Sequence, residues 1–208
     1  MLIFFYVSTI AYLIGSLPTA YIAGKLVGID IRNVGSGNVG ATNVARVLGK
    51  KFGYPVLLVD VAKGFFAVKV AEVLAHSAQF SSFSLDFSAV LGAIFSVIGH
   101  SYPIWLRFKG GKGVATSIGT LFALNWVPAL IVCLVWVVIF ETTRYVSLAS
   151  IVAAVALPIT MAVMLFLKEL PTPVLLYFSL CLGAIVVFRH RSNLARLVEG
   201  TEHRFVRK

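Results

Sequence analysis

Residues 146–167 read Val146-Ser147-Leu148-Ala149-Ser150-Ile151-Val152-Ala153-Ala154-Val155-Ala156-Leu157-Pro158-Ile159-Thr160-Met161-Ala162-Val163-Met164-Leu165-Phe166-Leu167. No charged side chain interrupts the run. Its length matches the roughly 20 residues that a helix needs to cross the hydrocarbon of a bilayer. The whole chain has the same character: 59% of its 208 residues are hydrophobic and 12% are charged, against about 25% charged in an ordinary soluble domain. So little charge leaves too little polar surface to keep a globule in water. Lipid tolerates such a chain.

Working outward, six further apolar runs are predicted spans: residues 2–24 with Pro18 inside, 54–75, 85–106, 114–124, 126–140 and 174–188. The expectation is therefore an all-α integral membrane protein of about seven transmembrane helices, forming a single polytopic domain over residues 1–208. The run at 114–124 is short for a full crossing, and Asn125 to Pro128 form a turn or a kink. A five-span arrangement with residues 113–140 disposed differently is the alternative. The N-terminus opens on apolar Leu2 to Tyr6 with no basic stretch, so no secretory leader is expected. Cys133 and Cys181 both fall within apolar runs and read as small packed or lipid-facing residues.

The run at 54–75 carries Asp60, Lys63, Lys69 and Glu72. Each acid lies three residues from a base and shares a helix face with it. Either these are internal ion pairs that neutralise charge in a packed helix, or they face a substrate in a polar cavity.

The net charge of +10 would suggest nucleic acid on a soluble protein. Here the basic residues cluster at the ends of the apolar runs, which fits membrane orientation better. With the N-terminus outside and seven crossings, the inner stretches hold Lys25, Arg32, Arg46, Lys50 and Lys51, then Arg107, Lys109 and Lys112, then Arg144. The tail holds Arg189, Arg191, Arg196, Arg204, Arg207 and Lys208. Outer loops hold only Lys168. The C-terminus and the short motif loops are thus expected in the cytoplasm.

Four polar segments carry the chemistry. The first is Arg32-Asn33-Val34-Gly35-Ser36-Gly37-Asn38-Val39-Gly40-Ala41-Thr42-Asn43-Val44-Ala45-Arg46. Its glycines free the backbone to turn several N–H groups toward one point, and such nests bind phosphate. The G-x-G-x-x-G pattern at Gly35 to Gly40 is not a dinucleotide fingerprint, because no βαβ unit fits between spans. Residues 41–48 fit a short helix whose positive end faces an anion. The second is Gly99-His100-Ser101-Tyr102-Pro103 followed by Phe108-Lys109-Gly110-Gly111-Lys112-Gly113. Two lysines interleaved with glycines again suit a phosphate. Gly113 stands where a Walker loop has Ser or Thr, so that motif is excluded. In the third, Ser147 and Ser150 follow Arg144 and share a helix face; serines so placed also bond back to helix carbonyls. The fourth is Arg189-His190-Arg191-Ser192-Asn193-Leu194-Ala195-Arg196-Leu197-Val198-Glu199-Gly200-Thr201-Glu202, with Arg189, Asn193 and Arg196 near one face and Glu199 placed to pair with Arg196. A basic interfacial helix on anionic lipid is its plainer reading.

Together these segments resemble the PlsY family, the acyl-phosphate:glycerol-3-phosphate acyltransferases of bacterial membranes. Ser36 to Asn43 with Arg46 is similar to the family's first motif, Gly99-His100 through Phe108 to Gly113 to its second, and His190 to Leu197 with Glu199, Gly200 and Glu202 to its third. Leu194 stands where the family usually has Ile. The resemblance covers essentially the whole chain. It implies transfer of a fatty acyl group from acyl phosphate to the 1-hydroxyl of glycerol 3-phosphate, giving lysophosphatidate and phosphate, with no cofactor. On it, Ser36, Arg46, Lys112, Ser150, His190 and Asn193 are candidate catalytic residues. Gly37, Asn38, Gly40, Thr42, Asn43, His100, Lys109, Gly110, Gly111, Gly113, Ser147 and Arg196 are candidates for substrate binding, and Glu199 for a structural role. The expected partners are the two substrates and membrane lipid, and the expected state is a monomer in the bacterial inner membrane with its active site on the cytoplasmic side. None of the 4 histidines is followed five residues on by an acid, so the His-x-x-x-x-Asp base of many thioester-dependent acyltransferases is absent. No histidine–carboxylate cluster has metal-ligand spacing. A transporter for an organic phosphate is the competing class; its site would lie at the midplane within inverted repeats, and the sequence shows no such repeat.

Overall fold

The computed structural model describes residues 2–78, 82–170 and 172–205, with backbone alone at 82–84. Arg207, Lys208 and part of the connector at 76–84 lie outside the described residues. The described residues form α1 (Leu2–Gly15), α2 (Thr19–Lys25), a 3-10 turn (Ile31–Asn33), α3 (Ala41–Leu48) and α4 (Lys50–Ser77). α5 (Ser82–Ser101), a second 3-10 turn (Ile104–Leu106) and α6 (Val114–Leu124) follow. α7 (Trp126–Thr143), α8 (Val146–Phe166), α9 (Val174–Arg189) and α10 (Arg191–Val198) complete the chain. Two compact units divide at the junction of Leu124 and Asn125.

In the first unit α4 packs against α1, α5 and α6, and α1 against α5. Small residues let these backbones approach, which is how helices associate where lipid offers no hydrophobic drive. A Cβ on Gly64 would collide with the Thr116 carbonyl, and one on Gly119 with the Val61 carbonyl, so α4 and α6 meet at a reciprocal glycine contact. Gly15 against Ser96 and Gly99 against Tyr12 do the same for α1 and α5. Pro18 lacks an N–H and breaks the helix between α1 and α2. The break leaves the Leu17 carbonyl open to a side-chain donor. In the second unit α8 packs between α7 and α9, and α10 packs on α8 and α9. Arg144, at φ 62°, ends α7 in the left-handed region and reverses the chain into α8. His190 separates α9 from α10, which bend apart by 58°.

The expectation of seven transmembrane helices is not met. Among the described residues, four helical stretches are long and apolar enough to cross a membrane: Leu2–Lys25, Leu85–Leu106, Trp126–Thr143 and Val146–Phe166. The bent pair α9–α10 makes five if counted as one span. The physical reasons differ for each shortfall. The 11 residues of α6 rise only about 16 Å at 1.5 Å each, half of a hydrocarbon core of about 30 Å. The 16 residues of α9 reach about 24 Å. At 28 residues α4 is long enough, but it carries Asp60, Lys63, Lys69 and Glu72 in its middle. Five is also the number in the alternative with residues 113–140 disposed differently, but Trp126–Thr143 is among the stretches counted and α4 is not. With the count reduced, the alternation of sides from which the N-terminus was assigned to the outside no longer holds.

Candidate active site

The first glycine segment folds around one buried amide. Asn43, 1% exposed, accepts the backbone N–H of Ser36 on Oδ1 at 2.8 Å and donates Nδ2–H to the carbonyls of Ile31 at 3.2 Å and Val34 at 3.0 Å. Gly35 and Gly37 adopt φ of +61° and +69°, and a Cβ on Gly35 would strike Asn43. Gly40 precedes α3 with no side chain capping its N-terminus, which leaves the positive end of the helix facing outward beside the loop. The Ser36 side chain is exposed, Asn38 and Thr42 are half-buried, and Arg46 is exposed on the last turn of α3. Among the described residues no carboxylate forms an ion pair with Arg46.

Arg32, the other arginine of this segment, is engaged elsewhere. Its Nε and Nη2 donate to the two oxygens of Asp30 at 2.9 and 2.6 Å, and its guanidinium lies 4.9 Å from the Tyr21 ring centroid. The hydrogen bonds from Arg32 hold the Asp30 carboxyl down to about 2.

The second segment returns along the end of α5. The N–H of Gly110 donates to the Ser101 carbonyl and that of Gly111 to the His100 carbonyl, both at 3.1 Å. The turn that achieves this passes Arg107 and Phe108 at φ 52° and 61°, which costs conformational energy in non-glycine residues. Gly111 is buried. A Cβ there would strike Nε2 of His100 and stand 2.7 Å from the Val39 carbonyl. The two glycine segments therefore touch, Gly111 against Val39. Lys112 is half-buried and Lys109 exposed. Gly113, at φ +84°, accepts the Ser117 N–H at 2.7 Å as α6 begins.

Beneath these loops lies a network of buried charge. Asp60 and Lys63 pair at 2.7 Å with both side chains almost fully buried. Thr19 donates to Asp60 Oδ1 at 2.5 Å, and Lys63 donates to the Leu17 carbonyl at 2.9 Å. His100 Nδ1 stands 3.7 Å from the same carboxylate oxygen. Lys69 and Glu72 pair at 2.9 Å on a partly exposed surface, and Lys69 also reaches the Ala123 carbonyl near the end of α6. The acid–base spacing along α4 thus reflects internal ion pairs.

In the second unit a single carboxylate gathers the polar residues. Glu202 Oε1 accepts Ser147 Oγ–H at 2.7 Å and Asn193 Nδ2–H at 2.6 Å, and Oε2 accepts Arg196 Nε–H at 2.8 Å. Burial alone would raise the Glu202 pKa; the three donors outweigh it and hold the carboxyl below its ordinary value. The partner of Arg196 is thus Glu202, not Glu199, which is exposed. The segment after α10 is anchored further by the Phe205 N–H on the Arg144 carbonyl at 2.9 Å. Ser150 bonds back to the Val146 carbonyl at 2.7 Å and accepts Trp136 Nε1–H at 3.1 Å. Buried His190 sets Nδ1 2.8 Å from the Val186 carbonyl. A carbonyl only accepts, so Nδ1 carries the proton.

These motifs and this fold are those of a known group. The family model described as glycerol-3-phosphate acyltransferase matches residues 5–200. The chain belongs to the glycerol-3-phosphate acyltransferase family. It is 47% identical over 196 residues to the glycerol-3-phosphate acyltransferase of Aquifex aeolicus, covering 94% of this chain and 95% of the relative. It is 48% identical over 194 residues to that of Gloeobacter violaceus, covering 92% and 90%. The crystal structure of PlsY (YgiH), an integral membrane glycerol 3-phosphate acyltransferase, superposes in its glycerol 3-phosphate form with a TM-score of 0.85 at 43% identity, over 98% of this chain and 96% of that one. Its lysophosphatidic acid form gives 0.82 at 41% identity, over 98% and 95%.

Within this acyltransferase the first unit brings His100, Gly110 and Gly111 to Val39 of the first loop, the loop that carries Gly37, Asn38, Gly40, Thr42 and Asn43. The second brings together Ser147, Asn193 and Arg196 on Glu202. Asn43 differs from the other loop residues in having its amide turned inward, onto the loop's own backbone. Thr19 is absent from the sequence candidates; Asp60 and Lys63 enter there only as an acid–base pair, internal or substrate-facing, and Glu202 only as part of the third motif. The acid–base spacing on α4 and the acid that closes the third motif were the available signals.

The depressed Glu202 pKa makes a prediction. Its folded value lies below 4.5, so the cluster's stabilisation is fully present above the unfolded value and is lost as pH falls through the folded one. Glu202→Gln should lower the melting midpoint in detergent at pH 7 and flatten its decline between pH 5 and 3, as followed by circular dichroism. An unchanged acid limb would contradict the cluster.

Proposed function

We propose that the two glycine loops of the first unit and the Ser147–Asn193–Arg196 cluster of the second recognise the phosphates of the two substrates. The enzyme transfers a fatty acyl group from acyl phosphate to the 1-hydroxyl of glycerol 3-phosphate and releases lysophosphatidate and phosphate. One observation carries the assignment of the loops. Two glycine-rich segments, each running directly into a helix N-terminus at α3 or α6, pack on each other at Gly111 and Val39. A positive helix end at the exit of each loop, with Arg46, Lys109 and Lys112 in the same segments, suits a phosphate.

Acyl phosphate is a mixed anhydride and is already activated. Catalysis then consists of holding two anions together and screening their repulsion. Arg46, Lys112, Lys109 and Arg196 supply positive charge, and Ser36, Asn38 and Thr42 supply hydrogen-bond donors. Donors at the carbonyl oxygen stabilise the tetrahedral oxyanion. Ser150, Ser147 and Asn193 orient glycerol 3-phosphate. The hydroxyl proton goes to the departing phosphate of the donor, and His190 acts on the acceptor's position rather than as the base.

In this reading the site faces the cytoplasm of a bacterial inner membrane. Support comes from the grouping of basic residues around the loops and tail, since positive residues resist translocation. In the same reading the enzyme acts as a monomer. A single catalytic domain is supported by a family match that runs through both units.

Purified enzyme in detergent should release phosphate and form lysophosphatidate from palmitoyl phosphate and glycerol 3-phosphate, and should do neither with palmitoyl-CoA. Product from palmitoyl-CoA alone would overturn the donor assignment. His190→Ala should raise KM for glycerol 3-phosphate while the pH profile of kcat keeps its shape. Loss of the acidic limb in that profile would make His190 the base.

A further inference from the structure

Asp60, Lys63 and Thr19 lie outside all the glycine and tail segments, yet they adjoin both loops of the first unit. A small pocket has Asp60, Lys63, Thr19 and His100 among its lining residues, with Val39 from the first loop and Gly110 from the second. Three groups converge on one oxygen, Oδ1 of Asp60: the Thr19 hydroxyl at 2.5 Å, the Lys63 ammonium at 2.7 Å and, more loosely, His100 Nδ1 at 3.7 Å. The opposite edge of the His100 ring, Nε2, lies where a Cβ on Gly111 would be. The His100 main chain accepts the Gly111 N–H at 3.1 Å. The imidazole is thus held between a fixed carboxylate and the second loop.

Two physical considerations give this arrangement a purpose. A buried ion pair seldom adds stability over an apolar replacement of the same volume, so stability alone does not explain a charged pair in this place. A carboxylate close to an anion-binding loop also repels the anion unless cations offset it, and Lys63 provides that offset within the same helix. What the carboxylate adds is a charge beside one edge of the His100 ring, whose other edge packs on Gly111 at its contact with Val39.

We propose that Asp60 is a positioning residue for phosphate recognition, acting through His100 to hold the Gly110–Gly113 loop in register with the first glycine loop. The proposal rests on the reading of these loops as phosphate-binding. Arg46→Ala in the first glycine segment tests that reading separately: unchanged KM for both substrates in it would refute phosphate binding there.

Two variants test the inference. His100→Gln leaves the Asp60–Lys63 pair intact. Asp60→Asn combined with Lys63→Met removes both charges together and leaves neither unpaired. Melting midpoints are recorded for each, with kcat and the KM for palmitoyl phosphate and for glycerol 3-phosphate. Both variants should melt near the wild type. In each, KM for the same one of the two phosphate substrates should rise about tenfold, as expected for a misplaced binding group, with kcat changed by less than about threefold. Combining all three substitutions should give no further rise, because they break one chain of contacts. Wild-type KM for both substrates, a fall in kcat alone, or a multiplicative effect in the combination would each overturn the proposal. If the Asp60/Lys63 variant does not fold, His100→Gln decides by itself: unchanged KM values in it refute the role.

Discussion

A carboxylate removed from water inside a lipid-soluble chain must be surrounded by donors, and in this protein Asp60 imposes that condition on its neighbours. Breaking one side of such a buried pair costs about 3–5 kcal/mol, a large share of a typical domain's stability. The donors come from separate parts of the first unit. Thr19 belongs to α2 just past the Pro18 break, Lys63 to α4, and His100 to the end of α5. Lys63 also ties the Leu17 carbonyl that the break exposes. Satisfying one carboxylate therefore fixes the kink in the first helix, the face of α4 and the root of the second glycine loop. The reciprocal contact of Gly64 and Gly119 brings α6, which starts from that loop, to the same helix.

The same logic divides the chain's charges. There are 8 acids against 18 lysines and arginines. Asp30, Asp60, Glu72, Glu141 and Glu202 each take an internal basic partner. Much of the remaining positive charge, Arg46 and Lys109 within it, belongs to the glycine segments and the tail of the sequence. An excess of cations around backbone donors attracts anions, and both substrates of the acyl transfer carry phosphate. Acyl phosphate also carries a long hydrocarbon chain, and the membrane dissolves it, so the enzyme has only to gather the polar ends.

Much of this was legible in the sequence, for reasons that can be named. Membrane character follows from composition, because it is a property of the average side chain. The glycine loops were visible because anion cradles need glycine and nearby cations within a few residues. The span count was misjudged because α6 and α9 are apolar but short, and α4 is long but charged. Apolar character shows in single residues, whereas crossing needs length and neutrality together. Pairing Arg196 with Glu199 followed helical spacing, but the chain leaves the helix after Val198 and brings Glu202 back to Arg196. Asn43 looked like its neighbours in the motif, and only the folded loop shows its amide turned inward. The Thr19–Asp60–His100 grouping joins residues some 40 positions apart in each direction, which no local pattern reveals.

The chemistry that all this supports is attack by the glycerol hydroxyl on the carbonyl carbon of the donor, with phosphate as leaving group. The C–O bond to the bridging oxygen breaks, and that oxygen departs with phosphorus. The most direct test uses palmitoyl phosphate carrying oxygen-18 at the bridging position, turned over with glycerol 3-phosphate, with the products followed by phosphorus NMR and mass spectrometry. The account predicts that the label appears in the released inorganic phosphate and that the lysophosphatidate is unlabelled. Label retained in palmitate, with the phosphoryl group moved to glycerol 3-phosphate, would mean attack at phosphorus and would contradict the account.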